Sequence, residues 1–229
     1  MNRILKNTIT AIGLGLTFLG LTAAEERFDL RVRADFFAGF AGDQQALDRA
    51  MKLCEEELGR NPANAEALVW HGSGVFFQSG QFFKAGDRAK GGEYWQRGLG
   101  EMDHAVKIAP NNLGVIIPRG ATLLTASRNL PNPDLARPLI ETGLADFEHT
   151  LEIQKPYFDK LGTHPRGELL LGLADGYARL GNDEQARIYF ERIRTALPGT
   201  PYATNAGKWL TTKSLPPREA GCIGCHVAK

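Results

Sequence analysis

From Phe28 onward the apolar residues recur at spacings of three and four. No stretch alternates with period two between turn signals. This patterning predicts an all-α chain with little or no sheet. The segments read as helices over residues 30–40, 46–58, 66–78, 94–108, 139–154 and 201–212. Leu68, Trp70, Gly72 and Val75 share one face of the third segment, and Gly98, Met102 and Ala105 one face of the fourth. Gly143, Phe147 and Leu151 do the same in the 139–154 helix. Stop signals follow several segments: Asn61-Pro62-Ala63-Asn64, Ala109-Pro110-Asn111-Asn112 and Lys155-Pro156.

The clearest unit runs over 167–198. Leu170, Leu173, Ala174 and Tyr177 lie at helical spacing, and Gly181-Asn182-Asp183 breaks the run. Ala186, Phe190 and Ile193 then mark a second apolar face, ended by Pro198. Small residues at 174 and 186 let two antiparallel helices approach, and large ones at 177 and 190 fill the space between them. This order of small and large positions resembles a tetratricopeptide repeat. The resemblance is strongest in this unit and implies a solenoid of about four stacked helical hairpins over residues 25–213, closed by the 201–212 helix. It also implies a surface for binding a partner protein.

Two stretches depart from that pattern. Residues 79–92 are rich in glycine and charge and are expected to form a surface loop bearing Phe82 and Phe83. They do not form a phosphate loop, because the Gly-Lys-Ser/Thr ending is missing. Pro-Arg-Gly-x-x-Leu-Leu occurs at 118–124 and again at 165–171. Proline suits the first turn of a helix, so each copy marks a helix start, or a kink if the first helix begins near Asn112. Arg119 and Arg166 would then stand near helix N-termini. They can make structural ion pairs with protein carboxylates or meet the propionates of a haem.

The N-terminus reads as an export signal over residues 1–24. Residues 1–6 carry Arg3 and Lys6, residues 8–21 are apolar and uncharged, and Thr22-Ala23-Ala24 offers small residues for cleavage. The apolar run is short for a membrane span. No cysteine stands at the cleavage point, so a lipid anchor there is not expected. The chain is expected in the periplasm or outside the cell, without a membrane span once the leader is cut. The whole chain carries a formal net charge of +1, and loss of Arg3 and Lys6 leaves 25 basic against 26 acidic residues. Such a balance gives no electrostatic footprint for nucleic acid. Mean hydropathy is −0.25, which excludes a polytopic membrane protein.

The C-terminal stretch 214–229 changes the functional picture. Ser214-Leu215-Pro216-Pro217-Arg218-Glu219 is a stiff extended linker. Beyond it stand Cys222, Ile223, Gly224, Cys225 and His226, a C-x-x-C-H motif. This spacing reads as covalent attachment of one haem c through Cys222 and Cys225, with His226 as axial ligand to the iron. In this respect the tail resembles the c-type cytochromes. A zinc site suits it less, because adjacent Cys225 and His226 cannot readily face one tetrahedral ion and a fourth ligand is missing. A thioredoxin-like dithiol needs a strand-to-helix setting that this helical chain lacks. Three residues follow His226, and the preceding segments do not resemble a cytochrome fold. Cover for the haem is therefore expected from the repeat surface or from a partner.

The candidates for a distal iron ligand are His71, on the first helix of a hairpin and expected on the concave wall, and His164, expected in an inter-helix loop before Pro165. A histidine from a second copy of the chain is equally open and would join protomers through haems. Met51, Met102 and Cys54 fall on apolar faces and read as core. No Ser/His/Asp order, paired catalytic carboxylates or HExxH is present, so an enzyme is not expected. A peroxidase-like activity at an open haem position is the minority reading. The sequence thus points to an exported monohaem protein that relays single electrons to a redox partner protein. The alternative is a tetratricopeptide-like assembly scaffold whose haem is structural or absent.

Overall fold

A computed structural model describes residues 27–214. The expected signal segment 1–24, the expected linker beyond Ser214 and the Cys222, Cys225 and His226 motif lie outside the described residues. Those described are all-helical, as the apolar spacing predicts. Nine α-helices run α1 (Phe28–Phe40), α2 (Gln44–Arg60), α3 (Ala65–Lys84), α4 (Arg88–Ile108), α5 (Leu113–Ala126), α6 (Pro133–Gln154), α7 (Thr163–Arg179), α8 (Asp183–Ala196) and α9 (Pro201–Thr212). Short 3₁₀ turns at Ser127–Asn129 and Phe158–Lys160 follow α5 and α6.

Each odd-numbered helix packs against the even-numbered helix after it, and successive odd-numbered helices also touch from α1 through α9. Three hairpins share one turn chemistry. α1, α3 and α7 end on Gly42, Gly86 and Gly181, each with positive φ. In each, the glycine N–H and the next residue's N–H donate back into the last turn, as with Gly86 to Phe83 O and Asp87 to Phe82 O. This is a Schellman ending, which needs a left-handed residue that glycine adopts without a Cβ penalty. The following Asp43, Asp87 or Asn182 then caps the next helix through its side chain.

Residues 79–92 are not a surface loop. α3 continues to Lys84 and α4 begins at Arg88, leaving only a tight turn at 85–87. The glycines there serve helix contact rather than loop flexibility. A Cβ on Gly91 would come within 2.6 Å of the Phe83 ring. Further along the same hairpin, a Cβ on Gly98 would come within 2.6 Å of the Phe76 backbone nitrogen. Phe82 packs edge-on to Tyr94, and Lys90 Nζ sits 4.2 Å from the Phe82 ring centre. Close packing of α3 on α4 outweighs the helix propensity lost at these glycines, about 1 kcal/mol each.

Pro118 is the sixth residue of α5, so it does not open the helix. It removes the hydrogen bond that residue 118 would donate to Gly114. Pro165 does stand in the first turn of α7, as expected. Two apolar clusters fill the interior. One centres on Val32, Phe36, Leu47, Val69 and Met102, the other on Leu170, Leu173, Phe190, Ile193 and Trp209. Leu130 packs against both. Trp209 lies 4.4 Å from Phe190, ring centre to ring centre, in a stacked arrangement, so α9 closes the second cluster.

Candidate functional site

The residues expected to hold a cofactor, Cys222, Cys225 and His226, lie beyond Ser214, so the described surface is considered for its own openings and charges. Two open clefts of about 280 Å³ each mark that surface. The first lies between α2 and α4, with α3 as its floor, and is lined by Met51, Glu55, His71, Val75, Tyr94 and Arg97 among others. His71 therefore faces the even-numbered helices, and not the wall of odd-numbered helices on which it was expected. Its Nδ1 lies 2.5 Å from Glu101 Oε2, and its Nε2 lies 3.8 Å from Glu55 Oε1. The imidazole is only 5% exposed. Burial pushes the Glu101 carboxyl up, but hydrogen bonds and charge from His71 and Arg97 outweigh it and hold the group below the usual carboxylate range. Arg97 Nε donates to Glu101 Oε1 at 2.8 Å. The charges of this cleft are thus matched largely among themselves.

The second cleft lies where the described chain ends. Arg128, Asp175, Arg179, Asp183, Trp209 and Lys213 line it. Arg128 Nη2 lies 2.6 Å and Arg179 Nη1 3.8 Å from the same oxygen, Asp175 Oδ2. Arg179 Nη1 also donates to Ser127 Oγ at 2.9 Å. Lys213 ends α9 in the left-handed region, with φ 57°. That reversal lays its ammonium 4.0 Å from the Trp209 ring centre and 3.9 Å from Asp183 Oδ2. Three cations meet two carboxylates here. Burial lowers the Arg179 pKa from the usual value, Asp175 opposes that shift, and the charge of Arg128 adds to it.

The remaining sequence candidates fall elsewhere. His164 is the second residue of α7 and not part of a loop. It is exposed, and its Nδ1 lies 3.0 Å from the Tyr202 hydroxyl, which in turn donates to Glu168 Oε1 at 2.8 Å. Arg119 makes a two-pronged contact with Asp146, at 2.8 and 2.6 Å, and reaches Asp103 at 2.9 Å. It therefore ties α4, α5 and α6 together, the structural role open to it from sequence. Arg166 stands in the first turn of α7, and its Nε is buried without a hydrogen-bond partner among the described residues. Met102 is fully buried, and its sulfur accepts from Ser73 Oγ at 3.4 Å. Cys54 is a buried free thiol, and burial, with the charges of Glu55 and Glu101, pushes its pKa up. Among the described residues no three His, Cys, Asp or Glu side chains gather to hold a metal ion. No described helix is long and apolar enough to cross a membrane.

Arg128, Arg179 and Lys213 belong to no motif in the sequence. Each stands at or just past the end of an odd-numbered helix, α5, α7 or α9. Basic residues suit helix C-termini, and equivalent ends of stacked hairpins lie side by side. Those two facts together were the available signal. Neither cleft encloses a ligand, since both lie open to solvent. The basic cleft does suit the acidic edge of a haem, because its cations outnumber its carboxylates. No family model, curated protein or solved structure matches the chain.

Proposed function

We propose that this chain is an exported electron-transfer protein of the c-type cytochrome kind, with one covalent haem on its C-terminal tail. Its helical hairpins act as a tetratricopeptide-like stack that binds the redox partner. The observation that carries the proposal is the Cys222-x-x-Cys225-His226 motif on a prolyl arm in a chain with an export signal. Cys222 and Cys225 would hold the group by thioether bonds, and His226 would supply an imidazole to its iron. When bound, the haem iron supplies a one-electron couple. The Pro216-Pro217 arm tethers the group to the end of α9. The recurrent Gly-Asp/Asn hairpin turns and the contacts between successive odd-numbered helices support the stacked-repeat reading. The compartment that fits is the periplasm or the cell exterior.

His71 and His164 remain the two internal candidates for the distal position. His71 is already held by Glu101, as a metal-binding imidazole commonly is, but it is buried. His164 is exposed near the start of α7. Replacing either and recording the optical spectrum of the haem-loaded protein decides its part: a ligand changes the spectrum, and a bystander leaves it unaltered. A second reading, an assembly scaffold with a structural haem or none, is favoured by one observation, that both clefts lie open to solvent. A haem stain on a denaturing gel separates the two. Stain retained by the denatured chain is expected, and unstained protein from cells with the attachment machinery overturns the electron-transfer reading.

A further inference from the structure

We infer that the cleft formed by Arg128, Arg179, Trp209 and Lys213 is a docking site for the chain's own haem-bearing tail, with the cations receiving the haem propionates. The inference rests on the proposed function, because it needs the haem. Three observations on the described residues carry it. First, the charges do not balance: two mostly buried guanidinium groups, each 22% exposed, lean on one carboxylate oxygen. Lys213 adds a third cation, with Asp183 as the second carboxylate. Each guanidinium offers five N–H donors, more than these contacts use. Second, Trp209 is buried against Phe190 and carries the Lys213 ammonium 4.0 Å from its ring centre, so a fixed aromatic support holds that cation at the cleft beside the arginines. Third, the cleft borders the point where the tail departs, since Lys213 lines it and Ser214 is the last described residue.

The reach is ample. Eight residue steps separate Ser214 from Cys222. Extended, they span at most about 28 Å, so the tail can double back onto a cleft that begins beside its root. A short tether holds the group at an effective concentration in the millimolar range. A contact too weak to bind free haem still keeps the tail docked. The cleft takes the acidic edge and leaves much of the ring accessible, as exchange with a partner requires. No candidate ligand to iron lines this cleft, so docking there positions the haem without occupying its distal side.

Trypsin provides the test. In the tail the only internal basic residue is Arg218, and cleavage after it releases the coloured haem peptide 219–229. When opening and closing are fast, that rate reports the undocked population. The full-length haem-loaded protein should be cut at this bond at least about tenfold more slowly than the Cys222→Ser/Cys225→Ser apoprotein. Lys213→Glu, at a side chain 50% exposed and safe for folding, should raise the rate in the loaded protein by about fivefold. It should leave the apoprotein rate unchanged, and salt should act in the same direction as the substitution. Equal rates for loaded protein and apoprotein overturn the docking, as does a Lys213→Glu rate equal to wild type. Absence of covalent haem overturns both this inference and the proposed function, whereas haem present without protection overturns docking alone.

Discussion

The two clefts have the same volume and a different balance of charge. At the α2–α4 cleft, His71, Glu101, Arg97 and Glu55 form a network that closes on itself, with the imidazole buried. At the α7–α9 cleft, two arginines share one oxygen of Asp175 and a lysine joins them from the root of the tail. A network of mutually paired groups holds helices together, whereas an excess of one sign at a surface opening attracts the other sign. The comparison teaches that the titratable group most visible in the sequence, His71, is engaged in structure. The cations set to receive a ligand were inconspicuous helix-end residues.

The strongest way to break the comparison is Trp209→Ala. It removes a buried ring that stacks on Phe190 and walls the basic cleft, and should cost about 3–5 kcal/mol in denaturant unfolding. Next, Asp175→Asn leaves Arg128 and Arg179 facing each other without their shared charge. A loss of about 3 kcal/mol is expected, while the matching change on the other cleft, Glu55→Gln at a side chain 65% exposed, should cost under about 0.5 kcal/mol. Equal costs for the two would erase the distinction between the clefts.

Glu101→Gln sharpens the comparison from the other side, with an expected loss of about 2 kcal/mol at neutral pH. Because the folded carboxyl is held below its ordinary value, its contribution is fully present above about pH 4.3. It is lost as pH falls through the lower folded pKa. Stability measured from pH 6 down to pH 3 should therefore fall less steeply in the variant than in the wild type. The smallest effect is expected at exposed His164, where replacement by alanine should change stability by no more than about 0.5 kcal/mol. Its informative readout is the haem spectrum.

Much of the helical layout was legible because apolar spacing and caps agree. Asn64, Asn112 and Thr200 each accept a hydrogen bond from the first turn of the next helix, and each closes a stop signal visible in the chain. The misjudged stretch, 79–92, shows why composition alone fails. Gly80, Gly91 and Gly92 lie inside helices, and only Gly86 needs positive φ. What a glycine does depends on the neighbour it admits, here Phe83 against Gly91, and that is tertiary information. The better local signal was Gly followed by Asp or Asn, which recurs at 42–43, 86–87 and 181–182 and marks all three hairpin turns of that type. The basic cleft was illegible for a related reason. Arg128, Arg179 and Lys213 are far apart in sequence and meet only because helix ends come together. His71 was correctly placed on a helix, but its facing depended on how α2 and α4 flank α3.

The central claim is that the tail carries one covalent haem. The most direct measurement is the mass of the C-terminal tryptic peptide 219–229 from protein produced with the attachment machinery. The account predicts a peptide heavier by one haem, bonded through Cys222 and Cys225. A peptide of unmodified mass with both thiols open to alkylation would contradict it.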